Sequence, residues 1–247
     1  MYPYYHIGSL TMPTYGLCMF VGVIISSWLL FRQARRNDQD GQTLYYIFIS
    51  SLLVGILAGK IYRFLFESDH WDPFSLLRFW TDHSFYGMAI GFITTWFILT
   101  RKNNIHPVKA LNTIIPAILS AQILGRLGCF SAGCCYGIPT DSWFGVQFQN
   151  VSGYRHTTQL YEMTAAILIL IAVFILQRRR QYEDKIFFFY IYSYAAARLI
   201  IENFRGDNPH IWLGLTFTQI VSILILLSLP LVVIKFRKWT STHLTIS

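Results

Sequence analysis

Charge is scarce in this chain. Only 13% of its 247 residues are Asp, Glu, Lys or Arg, while 54% are hydrophobic, a balance too apolar for a soluble domain of this length. No Lys or Arg precedes Arg32, so the basic n-region of a cleavable signal peptide is lacking and the first apolar span is expected to stay in the protein. No internal repeat, low-complexity tract or domain-separating linker is visible, which argues against solenoids and for one domain over residues 1–247. Acidic residues number 12 against 20 Lys and Arg, a net charge of +8. That excess invites a nucleic-acid reading, but the cations lie between apolar spans and not in one patch, so no nucleic-acid partner is expected. Cysteine is limited to four residues with no Cys-x-x-Cys pair.

What is present is apolar sequence in lengths that suit a bilayer, about 20 residues each. Seven spans are expected, near Thr14–Leu30, Tyr45–Phe66, Ser84–Leu99, Leu111–Phe130, Gln159–Gln177, Ile186–Phe204 and Trp212–Ile234. Their flanks sort by charge. Arg32, Arg35 and Arg36 follow the first span, Arg101 and Lys102 the third, Arg178 to Arg180 the fifth, and Lys235, Arg237 and Lys238 the seventh; Glu67, Asp69, Asp72 and Asp82 follow the second. By the positive-inside rule the N-terminus lies outside and the C-terminus inside. The expected fold class is an all-α polytopic membrane protein with about seven transmembrane helices and a small outward-facing loop region.

Against that background the segment Arg198-Leu-Ile-Ile-Glu202-Asn-Phe-Arg205-Gly-Asp207 stands out. With Tyr194, the residues Arg198, Glu202 and Arg205 fall at i, i+4, i+8 and i+11, one helical stripe about 80° wide at roughly 100° per residue. Ionisable groups inside a membrane are costly unless they face a partner or a polar cavity. Two arginines outnumber the glutamate and call for a further anion; a structural Glu–Arg pair is the plainer account.

The longest non-helical stretch is expected at about Ser131 to Thr158, on the outer side. It is entered through Gly125-Arg126-Leu-Gly128-Cys129-Phe-Ser-Ala-Gly-Cys134-Cys135-Tyr-Gly137, with four glycines in thirteen residues, which lets the backbone turn sharply and come close to a ligand. Arg126 sits near the outer end of its helix. Arginines converging at the lipid–water boundary suit a phosphate, because the guanidinium fork matches two phosphate oxygens, and an embedded phosphate site points to a phospholipid head group. Arg126 alone would otherwise snorkel to the interface. The cysteines admit several readings: a disulfide from Cys129 to Cys134 or Cys135, a thiolate assisted by Arg126, or small-residue packing. A zinc site lacks a fourth ligand nearby, so neither metal nor cofactor is expected. Gly55-Ile-Leu-Ala-Gly59-Lys60 looks like a fragment of a phosphate-binding loop, but its spacing is one residue short and it lies in a span, so nucleotide binding is set aside. His156, at the opening of span five, reads as a capping or hydrogen-bonding residue.

Taken together these motifs resemble the bacterial prolipoprotein diacylglyceryl transferases, membrane enzymes that move a diacylglyceryl group from phosphatidylglycerol to the lipobox cysteine thiol of a preprolipoprotein. Ile7-Gly8 with Tyr15-Gly16 is similar to the family's N-terminal segment, and Ser84-Phe-Tyr86-Gly87-Met-Ala-Ile-Gly91 to its His-Gly-Gly-Leu-Ile-Gly stretch. Gly125-Arg126-Leu-Gly128, continued by Phe130 and Gly137, resembles Gly-Arg-x-Gly-Asn-Phe-x-Asn-x-Glu-x-x-Gly. Arg155-His156 with Gln159-Leu-Tyr161-Glu162 resembles Arg-His-Pro-x-Gln-Leu-Tyr-Glu, the Tyr194 to Arg205 stripe resembles Tyr-x-x-x-Arg-x-x-x-Glu-x-x-Arg, and Gln219 with Ser222 fits Gly-Gln-x-x-Ser.

The resemblance implies a transferase of the bacterial inner membrane. Its catalytic residues would be Tyr86, Arg126, Tyr194, Arg198 and Glu202. Substrate would be bound by Tyr15, Gly87, Gly125, Gly128, Cys129, Cys134, Gly137, His156, Gln159 and Arg205. The implied partners are phosphatidylglycerol or a similar anionic phospholipid, the prolipoprotein lipobox and the bilayer. Among the departures from the family's motifs, three polar or titratable site positions are altered together: Tyr86 stands where its proposed histidine base stands, and Cys129 and Cys134 where its signature has Asn and Glu. Tyrosine, with an ordinary pKa near 10, is a poor proton acceptor at neutral pH. Two alternatives stay open, a paralogue that lipidates a different acceptor and a phospholipid-binding protein without chemistry.

Overall fold

The computed structural model describes residues 4–7, 10–66, 84–149, 151–179, 182, 185–206 and 210–243. Seven α-helices run through them: α1 Thr14–Arg36, α2 Gly41–Phe66, α3 Phe85–Lys102, α4 Pro107–Ala132, α5 Thr158–Gln177, α6 Ile186–Ile201 and α7 Phe217–His243. Three short antiparallel hairpins accompany them: β1 Tyr4–Ile7 with β2 Leu10–Pro13, β3 Val146–Gln147 with β4 Tyr154–Arg155, and β5 His210–Trp212 with β6 Leu215–Thr216. The chain is an all-α membrane protein. Among the described residues four helices, α1, α2, α4 and α5, are long and apolar enough to cross a bilayer. Their outward side chains are the large apolar ones that lipid accepts, as with Phe20 and Trp28 of α1, 67% and 58% exposed. The acidic loop residues Glu67, Asp69, Asp72 and Asp82, together with Gly8 and Asp207, lie outside the described residues.

Helix ends follow local chemistry. At the end of α1 the chain turns left-handed at Asp38, φ 51°, with the Gln39 amide returning to the Ala34 carbonyl at 2.9 Å. Asp40 then caps α2: its carboxylate accepts the Gln42 amide at 3.0 Å, the Thr43 amide at 3.3 Å and the Thr43 hydroxyl at 2.5 Å. The last helix begins later than its hydropathy implies. Trp212 belongs to a hairpin that turns at Leu213 and Gly214, φ 50° and 71°, and two successive left-handed residues are what a tight two-residue hairpin turn requires. Only at Phe217 does α7 start. Apolar composition alone does not separate such a hairpin from the helix it feeds.

The described chain divides into two compact units, Leu29–Ile114 and Met1–Trp28 with Ile115–Ser247. Within the first, α2 and α3 pack through facing small-residue pairs, Gly55 with Gly59 and Gly87 with Gly91. A methyl group on Gly87 would meet the Ala58 carbonyl at 2.5 Å, and one on Gly91 the Ala58 methyl at 2.6 Å. Small residues four apart let two membrane helices approach backbone to backbone. The segment Gly55-Ile-Leu-Ala-Gly59 is therefore a helix-packing face. In the second unit the core forms where Ile115 and Leu119 of α4 meet Ala166, Ile169 and Val173 of α5 and Ile186 of α6. Beyond that core, α4, α5 and α6 carry their polar residues toward the loop that follows α4.

Candidate active site

Polar residues on α5 begin at its first turn. Thr158, Gln159 and Glu162 face inward and are almost wholly buried. A buried carboxylate is tolerated only with partners, and Glu162 has three. Oε1 accepts Nη1 of Arg198 at 2.7 Å and Nη1 of Arg205 at 2.9 Å. Oε2 lies 2.7 Å from Nη2 of Arg126, a charge contact without the alignment of a hydrogen bond. Arg198 gives its other terminal nitrogen to Glu202 at 2.8 Å, and Glu202 accepts the Thr216 hydroxyl at 3.0 Å. The Thr216 amide is held in turn by Gln219 at 3.0 Å, and Gln219 donates to Asn203 at 3.2 Å. Helices α4, α5, α6 and the start of α7 thus meet in one charged network.

Three guanidiniums here face two carboxylates. Of the three, Arg126 is the most open, its side chain 24% exposed against 12% for Arg198 and 10% for Arg205. Such a site attracts an anion and offers a planar fork to it. Beside Arg126 and Glu162 on their own helices, Gln122 and Gln159 each keep a buried Oε1 with no hydrogen-bond partner. These are acceptors suited to hydroxyl donors.

Arg205 reaches Glu162 by a route different from the expected helical stripe. Regular helix ends at Ile201, a 3-10 turn covers Glu202–Phe204, and Arg205 is extended with φ −91° and ψ 140°. It pairs as a β-bridge with Gly137. The Ile138 amide donates to the Phe204 carbonyl at 2.9 Å and the Gly137 amide to the His156 carbonyl at 2.8 Å. At Gly137 an added methyl would overlap the Phe204 carbonyl, so a glycine is needed for this close crossing. The loop after α4 thereby staples the end of α6 and turns Arg205 onto Glu162.

The same loop brings two thiols, Cys134 and Cys135, to that of Cys129 in the last turn of α4. After Gly133, φ 72°, ends α4, Cys135 also adopts a left-handed backbone, φ 60°. Gln159 donates to the Cys134 carbonyl at 2.6 Å and Thr158 to the Cys135 carbonyl at 2.7 Å. The sulfurs of Cys129, Cys134 and Cys135 lie within 4.8 Å of one another, and all four cysteines of the chain are free thiols, so the disulfide, one of the readings left open by the sequence, is not formed. A hydrogen bond from the Cys129 thiol, followed by one from Cys134 and by the positive charge of Arg126 and Arg205, draws the Cys135 thiol down to about 6 against the opposing effect of burial.

The sequence model of prolipoprotein diacylglyceryl transferase matches residues 4–234. The chain belongs to the prolipoprotein diacylglyceryl transferase family. Among its relatives is the phosphatidylglycerol–prolipoprotein diacylglyceryl transferase of Clostridium tetani, 27% identical over 216 residues, which cover 85% of this chain and 87% of that one. The proteins of the same name from Finegoldia magna and Dehalococcoides mccartyi are each 29% identical, the first covering 91% of both chains and the second 95% of this chain and 93% of its own.

In this family member the residues singled out from the sequence fall in two groups. Arg126, Arg198 and Arg205 converge on Glu162 and Glu202 joins them through Arg198, with Gly137 and Gln159 beside them in the loop crossing. Tyr194, one turn before Arg198, packs partly buried against the core. His156 is tied to the Tyr161 hydroxyl at 3.0 Å and lies against Phe204. On α4, Gly128 is the contact point for Tyr15 and Cys18 of α1, where a methyl would come 3.0 Å from the Tyr15 ring, while a methyl on Gly125 would rest at ordinary contact distance, 3.7 Å, from the Met19 sulfur. Tyr86 and Gly87 belong to the other unit, on α3; Gly87 is committed to helix packing, and the Tyr86 side chain lies outside the described residues.

Sequence reasoning missed Glu162 as the centre of the network, along with Thr216 and Gln122. A signal for Glu162 was available. Three arginines near one membrane edge need more than one carboxylate, and Glu162 lies one turn beyond Gln159 on the same helix face.

Proposed function

We propose that this protein transfers the diacylglyceryl group of phosphatidylglycerol to the lipobox cysteine thiol of prolipoproteins, with the whole chain, 1–247, acting as one seven-span domain in the bacterial inner membrane. The observation that carries this reading is the convergence of Arg126, Arg198 and Arg205 on Glu162, in a family whose relatives bear that activity in their names. The basic flanks support an outer N-terminus and a cytoplasmic C-terminus.

In the transfer, the acceptor thiolate attacks the glyceryl carbon that carries the phosphate. A carbon–sulfur bond forms, the carbon–oxygen bond breaks, and glycerol phosphate leaves with the electron pair. Charge therefore grows on the phosphate, and fixed cations stabilise it most at that moment. Arg126, the most open of the three, binds the phosphate. Both terminal nitrogens of Arg198 are engaged by carboxylates, so Arg198 serves to hold Glu162 and Glu202 in place while adding to the field. The unpartnered oxygens of Gln122 and Gln159 accept head-group hydroxyls. Deprotonating the acceptor is a modest demand, because a cysteine near pKa 8.5 is already a few per cent thiolate at pH 7, a cost of about 2 kcal/mol. Tyr86 orients donor or acceptor and is not the base.

The test is incubation of the purified protein with phosphatidylglycerol labelled in its acyl chains and a lipobox peptide. Label on the peptide with release of glycerol phosphate is expected, and Arg126→Ala abolishes it. Lipid exchange with no glycerol phosphate would identify a binding protein, and turnover onto another acceptor a diverged paralogue. Terminal tags reachable from the same side of the membrane would refute the seven-span arrangement.

A further inference from the structure

Cys129, Cys134 and Cys135 bring three sulfur donors to one point at the turn that ends α4, all within 4.8 Å of one another. Sulfurs bound to one cation at the metal–thiolate distance of about 2.3 Å lie roughly 3.8–4.0 Å apart, so shifts below an ångström close the triangle. The turn is built and not incidental. Its backbone turns left-handed at Gly133 and again at Cys135, a conformation that a cysteine adopts only when its surroundings impose it. The carbonyls of Cys134 and Cys135 are fixed by Gln159 and Thr158, both wholly buried, and the Cys134 amide bonds the Cys129 carbonyl at 3.1 Å. Among the described residues no further His, Cys, Asp or Glu donor joins the three. That donor set is poor for zinc, which takes four ligands in structural sites, and right for a soft cation satisfied by three thiolates. Arg126 and Arg205 act electrostatically on the cluster and offset the negative charge that three thiolates around a monovalent cation would leave.

We propose that Cys129, Cys134 and Cys135 form a three-coordinate site for one soft monovalent cation of the Cu(I) type. On binding, the thiol protons pass to solvent and no electron is transferred. The site is independent of the transferase reading, since Cys129 and Cys134 stand where this chain departs from the signature it otherwise resembles, and Cys135 where that signature fixes no residue. It sits on the loop that staples Arg205 to Glu162, so an occupied site stiffens the arginine network.

The test uses the full-length protein, reduced and purified in detergent, titrated anaerobically with Cu(I) against a chromogenic chelator and, separately, with Zn(II). The expected result is one Cu(I) per chain, weakened about 100-fold or more when any one of the three cysteines becomes serine and unchanged in Cys18→Ser. X-ray absorption should show three sulfur neighbours at about 2.3 Å. Where a variant does not fold, the wild type alone decides: Cu(I) should protect Cys129, Cys134 and Cys135, but not Cys18, from alkylation read by mass spectrometry. Cu(I) binding that survives replacement of all three cysteines, coordination by two sulfurs, equal alkylation of all four thiols, or Zn(II) bound as tightly as Cu(I) would each overturn the proposal.

Discussion

Glu162 of α5 and Arg198 of α6, 36 residues apart in the chain, meet at 2.7 Å with the carboxylate only 1% exposed. The contact joins two helices whose packing is otherwise apolar, and it makes Glu162 the acceptor that Arg126 and Arg205 share with Arg198. Removing a buried charge that three cations share is more costly than removing a surface pair, because the partners are left desolvated and uncompensated.

Glu162→Gln is therefore expected to reduce thermal stability in detergent by the equivalent of about 3 kcal/mol or more and to cut diacylglyceryl transfer at least about 100-fold. Thermal denaturation and peptide labelling on the same preparation check both. A variant that is stable and active would show that the arginines do not depend on this carboxylate.

Arg198→Lys keeps the charge but cannot span Glu162 and Glu202 at once, since a single ammonium replaces a fork. Transfer should fall at least about tenfold, near 1.4 kcal/mol, with normal membrane insertion. Activity within about threefold of wild type would show that transfer does not need the fork that spans Glu162 and Glu202.

Gly91→Leu tests the helix-packing face. A methyl there already meets the Ala58 methyl at 2.6 Å and the Val54 carbonyl at 3.0 Å, so a leucine forces α2 and α3 apart. Loss of folded protein is expected, measured as recovery of a monodisperse species in detergent, whereas Gly125→Ala, where the nearest atom is 3.7 Å away, should be recovered like wild type.

Cys135 should be the thiol that reacts at low pH. With its pKa drawn to about 6, alkylation of the chelator-treated protein should reach half its plateau rate near that pH, below the ordinary thiol value of about 8.5. Deprotonation raises reactivity as pH rises, so Cys129→Ala, which removes the largest cause, should shift the profile upward, and Arg126→Ala should shift it by less. Mass spectrometry of peptides alkylated between pH 5 and 9 reads this directly; a Cys135 profile like that of Cys18 would refute it.

Tyr86→His separates an inherited mechanism from a rebuilt one. If Tyr86 only orients substrate, a base of pKa near 6.5 at that position should preserve or raise transfer to a lipobox peptide between pH 6 and 9. Failure of both proteins to transfer, with lipid bound and protein folded, would point to a different acceptor.

The membrane character of this chain, its helical class and the identity of its charged cluster were set by sequence alone. Hydropathy over about 20 residues is a local property, as is the cost of an arginine in an apolar run. Arg126, Arg198, Glu202 and Arg205 could be picked out for that reason before any contact was known. Which group holds the arginines was decided only by tertiary structure, because Glu162 shares no local pattern with Arg198 and their meeting depends on how α5 and α6 pack. Arg205 carries the same lesson. Its place at helical spacing from Arg198 pointed to a stripe, yet the helix ends at Ile201 and Arg205 reaches Glu162 through a bridge to Gly137. Backbone pairing between segments distant in sequence outweighed the local period, and it is that pairing which brings Arg205 to the carboxylate that helix packing gives to Arg126 and Arg198.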